Sequence, residues 1–132
     1  MPISKKSIAG LAALGAVLVA GPVAIASQHP EEKRAVLALT VTDRDGAVKI
    51  RTLRCGPDGG THPSASAACA ALSQVDGDFT QLNTQPGLMC TLEYDPVSAT
   101  ARGTWNGKVV NYHETFPNRC AMWSHTSPVF SG

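Results

Sequence analysis

The stretch VSATARGTWNGKVVNYHETF, residues 97–116, carries the pattern from which the fold of this sequence is predicted. Apolar and polar residues alternate along residues 97–105 and again along residues 108–116, which is the two-residue period of a β-strand with one buried face. Asn106-Gly107 lies between the two runs, and this pair is the preferred sequence of a tight type I′ turn. The stretch therefore predicts an antiparallel hairpin, with Trp105 and Tyr112 in its apolar layer.

A second hairpin is predicted nearer the beginning of the chain. Residues 35–42 place apolar side chains on one face, and residues 47–53 resume the strand pattern after the turn Arg44-Asp45-Gly46. Asp-Gly between two such runs is a strong hairpin signal. The two hairpins together predict a sheet that is antiparallel.

The segment between the hairpins is predicted to be helical. Residues 65–75 are rich in alanine, Pro63 fits the first turn of a helix, and Gly77 follows where a helix ends. A shorter helical turn is predicted at residues 79–82 and an extended tail at residues 128–130. The order of these elements, without βαβ repeats, indicates an α+β domain. We expect an antiparallel sheet of about five strands, one main helix and a short second helix.

The first residues have the pattern of an export signal. Lys5-Lys6 is followed by an apolar run at residues 8–19, and Ala24-Ile25-Ala26 has the small-x-small form of a signal peptidase site. The run is shorter than the about 20 apolar residues that span a bilayer. We expect residues 1–26 to be a cleaved signal and residues 27–132 to be one extracellular domain; the alternative is an uncleaved membrane anchor.

The four cysteines all lie in the exported part, at Cys55, Cys69, Cys90 and Cys120. In a small secreted chain this number predicts two disulfides, for which three connectivities are possible. A zinc site is the alternative, but the sequence has no C-x-x-C pair and its four histidines are scattered. We therefore expect disulfides and no metal.

The charge and the motifs exclude several classes of function. The net charge is +1 without a basic stripe, so nucleic-acid binding is not expected. The sequence lacks G-x-S-x-G, H-E-x-x-H and a phosphate-binding glycine loop, and residues 56–60 are predicted to be a flexible loop.

The titratable candidates also favour structural roles. His62 is predicted to lie in a turn and His113 on a sheet surface, rather than to act as general bases. Asp76 and Asp78 fit a solvated helix end better than a calcium site. We expect neither an enzyme nor a cofactor.

The stretch GLMCTLEYDPV, residues 87–97, does not fit a core strand. Leu92 and Tyr94 would share one face of a strand, whereas Thr91 and Glu93 on the other face are suited to solvent. The stretch is predicted to be an exposed connection that carries a leucine two residues after a cysteine.

Four segments resemble the Streptomyces subtilisin inhibitor family of secreted serine-protease inhibitors. They are CGPDGGTHPSASAACAAL, MCTLEYDPV, GTWNGKVVNYHETFPNRC and SPVF. The resemblance runs from about Ala35 to Phe130, nearly the whole predicted domain, and it implies inhibition of subtilisin-like and also chymotrypsin-like proteases. It further implies a homodimer formed by sheet packing. Because no second hydrophobic segment follows the first, we expect no membrane contact after the signal is removed.

The resemblance also assigns roles to individual residues. It implies that Cys55 pairs with Cys69, that Cys90 pairs with Cys120, and that Leu92–Glu93 is the reactive bond, with Leu92 as the primary specificity residue. Further protease contacts are implied at Leu88, Met89, Cys90, Thr91, Tyr94 and Asp95. Asn118 matches an asparagine whose amide braces the loop by hydrogen bonds to backbone carbonyls.

Three features depart from the family pattern: the length of one interval and the residues at two positions. The interval from Cys55 to Cys69 is one residue shorter than expected, and Thr91 stands where proline is common, which lowers the stiffness of the loop. Glu93 places a carboxylate next to the catalytic centre of a bound protease, where desolvation is unfavourable unless a cation pairs with it. The alternative function is therefore a non-inhibitory extracellular binding module on the same scaffold.

Overall fold

The structure, a computed structural model, describes residues 34–131 together with Gly15 and Ala16. Apart from these two residues, the predicted signal lies outside the described residues, as do residues 27–33 of the predicted domain. No helix in the described part of the chain has the length and apolar character needed to cross a bilayer.

The described residues contain five strands and two α-helices. The strands are β1 (Ala35–Thr42), β2 (Val48–Cys55), β3 (Gly59–Gly60), β4 (Val97–Trp105) and β5 (Lys108–Phe116). Helix α1 spans Ala65–Gln74, helix α2 spans Arg119–Thr126, and a single 3₁₀ turn spans Phe79–Gln81. The predicted α+β fold with a five-stranded antiparallel sheet is thereby confirmed.

The strands form one antiparallel sheet in the order β3-β2-β1-β4-β5. Both predicted hairpins are present, with Leu37 opposite Leu53 in the first. In the second, Asn106 and Gly107 both have positive φ, at 48° and 78°, as a type I′ turn requires. The two-residue strand β3 falls within a segment predicted to be loop, because a strand so short leaves no alternating pattern.

The hydrophobic core lies on one face of the sheet, beneath the two helices. Alternate residues of β1 and β4 point inward, and α1 packs against β2 while α2 packs against β4 and β5. The largest fully buried side chains are Trp105, Leu37, Leu53, Leu72, Met122, Val129 and Thr126. The opposite face of the sheet carries no helix of the described chain.

The end of α1 is determined by a close contact with the sheet. Gly77 has φ +74°, and its amide donates to the carbonyl of Leu72 at 2.9 Å, which closes the helix. A Cβ atom at Gly77 would lie 2.3 Å from the Trp105 ring. The helix stop predicted at Gly77 therefore also provides the space in which Trp105 is buried.

Helix α2 was not predicted from the sequence, and the short second helix expected at residues 79–82 is a 3₁₀ turn at Phe79–Gln81. The buried residues of α2 are Met122 and Thr126 alone, so its sequence has little apolar periodicity. Its first residue follows Asn118, whose side chain accepts from the Ala121 amide at 2.8 Å and caps the helix.

The prediction of an extended tail at residues 128–130 is wrong. Residues 127–130 form a turn that buries Val129 and Phe130. His62 is buried, and its Nδ1 accepts from the Ser64 amide at 2.9 Å, so Nε2 carries the proton that is donated to the Val129 carbonyl at 2.9 Å. His62 therefore holds the chain end in a turn, through a long-range contact that local sequence does not encode.

Candidate functional site

Residues 87–96, hereafter the exposed loop, connect the 3₁₀ turn region to β4 without forming a helix or a strand. Leu92 is 101% exposed and Met89 is 92% exposed, which leaves two large apolar side chains in water. Tyr94 and Leu88 are also exposed. Burying an apolar side chain of this size contributes about 1.5–3 kcal/mol. A partner that covers these side chains therefore gains this free energy on binding.

The structure places the residues implied as site residues together in this one loop. Leu88, Met89, Thr91, Leu92, Glu93, Tyr94 and Asp95 are exposed, and Cys90 is half-buried. Cys90 forms a disulfide with Cys120 of α2, with the two Cα atoms 5.7 Å apart. The loop is thereby fixed covalently two residues before Leu92.

The second disulfide lies away from the loop. Cys55 at the end of β2 is bonded to Cys69 of α1, across a sequence separation of 14 residues. Both disulfides join the cysteines that the family resemblance pairs. The zinc alternative does not hold for the described residues, because the single cluster of potential metal ligands contains Cys55 and Cys69, whose sulfurs are bonded to each other.

Asn118 holds the exposed loop on both sides of Leu92. Its Nδ2 donates to the carbonyl of Thr91 at 3.1 Å and to the carbonyl of Glu93 at 2.9 Å. Its Oδ1 accepts from the Ala121 amide, so the cap of α2 determines which end of the Asn118 amide faces the loop. One buried side chain thus satisfies a helix terminus and two loop carbonyls.

Helix α2 supports the surrounding chain at both of its ends. Near its beginning, the amide of Asp95 donates to the Pro117 carbonyl at 2.8 Å. At its C-terminal end, the carbonyls of Ser124 and His125 accept from the amides of Gln85 and Thr84 at 2.9 and 3.2 Å. The helix is therefore the platform on which the exposed loop rests.

The carboxylates of the loop face solvent. Glu93 and Asp95 are exposed, and among the described residues neither side chain forms an ion pair or a hydrogen bond. The half of the loop that follows Leu92 is therefore acidic, whereas the half that precedes it is apolar.

The other acidic and titratable candidates have structural roles. The Asp76 carboxylate accepts from the Trp105 indole at 3.3 Å and contacts Lys108, and Asp78 caps the 3₁₀ turn. Burial raises the pKa of the Tyr112 hydroxyl to about 12, and the Glu114 carboxylate adds to this shift. Tyr112 lies against the rings of Phe79 and Phe130, outside the loop.

Sequence reasoning missed the contribution of α2. The one local signal for this helix is an asparagine at an N-cap position, followed by eight residues without proline or glycine.

Comparison with known proteins gives a consistent result. A family model described as "Subtilisin inhibitor-like" matches residues 33–118. The chain is 41% identical over 101 residues to Subtilisin inhibitor-like protein 2 of Streptomyces rochei, a match that covers 72% of this chain and 89% of that protein. It is 46% identical over 101 residues to Protease inhibitor SIL-V2 of Streptomyces orinoci, covering 72% of this chain and 93% of that protein.

A solved structure is similar in fold as well as in sequence. It is that of Streptomyces caespitosus sermetstatin in complex with Bacillus licheniformis subtilisin. The TM-score is 0.61 and the sequence identity is 32%, and the similarity covers 75% of this chain and 99% of that chain.

Proposed function

Because the chain belongs to the subtilisin inhibitor-like family, we propose that it is a secreted inhibitor of subtilisin-like serine proteases, with Leu92–Glu93 as its reactive bond. The observation that carries this proposal is the fully exposed Leu92 in a loop whose flanking carbonyls are held by one buried amide. A flexible exposed leucine would be a substrate, whereas a rigidly held one favours inhibition. The proposal assigns no catalytic residue to this chain.

Binding follows from the exposure of the loop. The loop lies in the protease cleft as an extended segment, which allows main-chain hydrogen bonds to the edges of the enzyme. Leu92 fills the primary apolar pocket, and Met89, three residues earlier, reaches a second one. Since the disulfide and Asn118 hold the loop before binding, little conformational entropy is lost on association.

Slow hydrolysis follows from the way the loop is held. The serine of the enzyme attacks the Leu92 carbonyl, and the oxyanion hole of the enzyme receives the oxygen. When the bond breaks, Thr91 lies on the acyl side and Glu93 on the amine side, and both carbonyls remain bonded to Asn118. Because the new amine stays beside the acyl-enzyme, religation competes with hydrolysis.

The side chains on either side of the bond define the range of targets. Leu92 suits apolar pockets, including those of chymotrypsin-like enzymes that accept leucine, and offers no cation to the acidic pocket of trypsin. The exposed Glu93 carboxylate loses water on binding, so the proposal includes tighter inhibition of proteases that place a cation beside it.

The proposal includes a homodimer formed through the uncovered face of the sheet. This face carries Val36, Val48, Ile50 and Val109, which are 56%, 57%, 64% and 83% exposed. Ala38, Thr40, Thr100 and Thr104 on the same face are small, so two sheets can approach closely there, and Arg54 and Arg102 also lie on this face. Sedimentation of the purified domain tests this part: Ile50→Glu should yield a monomer, and a wild-type monomer at micromolar concentration contradicts it.

Titration of subtilisin with the purified domain tests the main proposal. Activity should fall to near zero at about one inhibitor per enzyme, and mass spectrometry of the mixture should find a slow cut confined to Leu92–Glu93. Rapid digestion of the domain, or full activity in its excess, refutes inhibition. A stable complex that leaves the enzyme active supports instead a binding module without inhibition. Finding the exported domain without residues 1–26 tests the proposed signal.

A further inference from the structure

Arg119 occupies the position between the two residues that hold the exposed loop. It is the first residue of α2, preceded by Asn118, which bonds the Thr91 and Glu93 carbonyls, and followed by Cys120, which forms the disulfide to Cys90. Any rotation of the first turn of α2 therefore moves both attachments of the loop.

The Arg119 side chain leaves the helix and pairs with a distant turn. Its Nη2 donates to Oδ1 of Asp43, which lies 76 residues earlier, in the connection between β1 and β2. That connection is itself tight, because the Asp43 amide donates to the Ala47 carbonyl at 2.8 Å and the Gly46 amide to the Asp43 carbonyl at 2.9 Å. The ion pair thus fastens the beginning of α2 to a rigid part of the sheet.

The ion pair also crosses a cleft beside the loop. The cleft has a volume of about 470 Å³ and is lined by Asp43, Arg44, Asp45, Asp95, Val97 and Arg119. Three carboxylates and two guanidinium groups share this space, and Asp95 belongs to the half of the loop that follows the reactive bond. Without Arg119, the Asp43 carboxylate loses its ion-pair partner, and the turn is no longer joined to the first turn of α2.

We propose that Arg119 is a positioning residue of the inhibitor, whose ion pair with Asp43 keeps the first turn of α2, and with it the Asn118 amide, aligned on the reactive bond. This inference rests on the proposed inhibitory function. The pair holds the cut ends in the geometry for religation, in which displacements of about 0.5 Å are significant. Neither Asp43 nor Arg119 belongs to the exposed loop, residues 87–96, that enters the protease cleft in the proposed function.

The inference predicts a separation of two rates with subtilisin. Arg119→Ala should raise the rate of cleavage at Leu92–Glu93 about twofold to fivefold and raise the equilibrium ratio of cut to intact inhibitor, with the association rate unchanged. Arg119→Lys should restore most of the wild-type cleavage rate. Asp43→Ala should reproduce the effect, and the double variant should be no worse than either single one.

Arg44→Ala is the matched control. It removes a cation from the same cleft, but in the described residues Arg44 has no ion-pair partner. Its cleavage rate and cut-to-intact ratio should equal those of the wild type. Because a purely structural role would lower the midpoint of thermal unfolding without changing the cut-to-intact ratio, both quantities are measured for every variant.

The outcomes separate this inference from the function on which it rests. If the wild type fails to inhibit subtilisin, the proposed function fails. If the wild type inhibits and Arg119→Ala has the same cleavage rate and cut-to-intact ratio, the positioning role alone is refuted. Additive effects of Asp43→Ala and Arg119→Ala also overturn it, because the two residues would then act independently. Should Arg119→Ala fail to fold, the cleavage rates and cut-to-intact ratios of Arg119→Lys and Asp43→Ala test the positioning role instead.

Discussion

Replacement of Asn118 by serine should convert a slowly cut inhibitor into a faster substrate. Serine is as good an N-cap residue as asparagine, so the cap of α2 is retained. Its hydroxyl is too short to reach the loop carbonyls, so the hydrogen bonds at 3.1 and 2.9 Å to Thr91 and Glu93 are lost. The substitution therefore removes the support of the loop and leaves the helix in place.

The size of the effect follows from these two hydrogen bonds. Each contributes about 0.5–1.5 kcal/mol, so together they hold the loop by about 1–3 kcal/mol. If this free energy is what keeps the cut ends aligned, cleavage at Leu92–Glu93 should accelerate by about fivefold to 150-fold. Asn118→Ala, which also loses the cap, should be cleaved equally fast but unfold more easily by about 1 kcal/mol.

The assay mixes each variant with a catalytic amount of subtilisin and follows intact and cut chains by mass spectrometry. Urea unfolding of the free variants gives the loss of stability, which separates loop support from helix capping. If Asn118→Ser is cleaved no faster than the wild type, the two hydrogen bonds do not govern hydrolysis. The mechanism would then depend on the disulfide alone.

Three further predictions concern specificity, covalent support and pH. Leu92→Lys should gain about a hundredfold in trypsin inhibition and lose subtilisin inhibition, since a cation then meets the acidic pocket; unchanged inhibition constants for both enzymes would exclude Leu92 as the specificity residue. Replacing Cys90 and Cys120 by serine opens a link across 30 residues, so the free energy of unfolding in urea should fall by about 3.5–4 kcal/mol and the loop should be digested rapidly; a loop that survives subtilisin contradicts this. Burial raises the pKa of Tyr112 to about 12, whereas the pKa of tyrosine in an unfolded chain is about 10. The contribution of this shift to the free energy of unfolding is therefore complete below pH 10 and is lost as the pH rises towards 12. Tyr112→Phe should therefore lose less stability than the wild type between pH 10 and 12 in urea unfolding, and equal losses would show that this tyrosine is not responsible.

Much of the fold could be predicted because its signals are local. The alternation along residues 97–116 with Asn106-Gly107 at the centre specifies a hairpin by backbone geometry alone, and Gly77 ends α1 as its position indicates. Helix α2 could not be predicted in this way. It is short and has little apolar periodicity, and it is held by an N-cap and by the Cys90–Cys120 disulfide, which is a long-range contact.

The candidate site, like the fold, could be predicted from the sequence only in part. Residues 87–97 indicated by themselves an exposed connection, because Thr91 and Glu93 would occupy the strand face opposite Leu92 and suit solvent rather than a core. The family resemblance added the reactive bond and the role of Asn118, since no periodicity in the chain indicates either. The pairing of Arg119 with Asp43 was beyond both, because 76 residues separate the two side chains.

Local sequence specifies β1, β2, β4 and β5, the turns of the two hairpins, the main helix and the exposure of Leu92, because these depend on side-chain alternation and on the conformations that asparagine, glycine and proline favour within a few residues. The way in which the loop is held depends on tertiary contacts. There the Asn118 amide is oriented by the cap of α2, the chain end is turned by His62, and Arg119 joins the helix to a turn of the sheet. The contacts of Asn118 with the loop, of His62 with Val129 and of Arg119 with Asp43 join residues far apart in the chain, and they form only after the sheet and both helices have packed around one core.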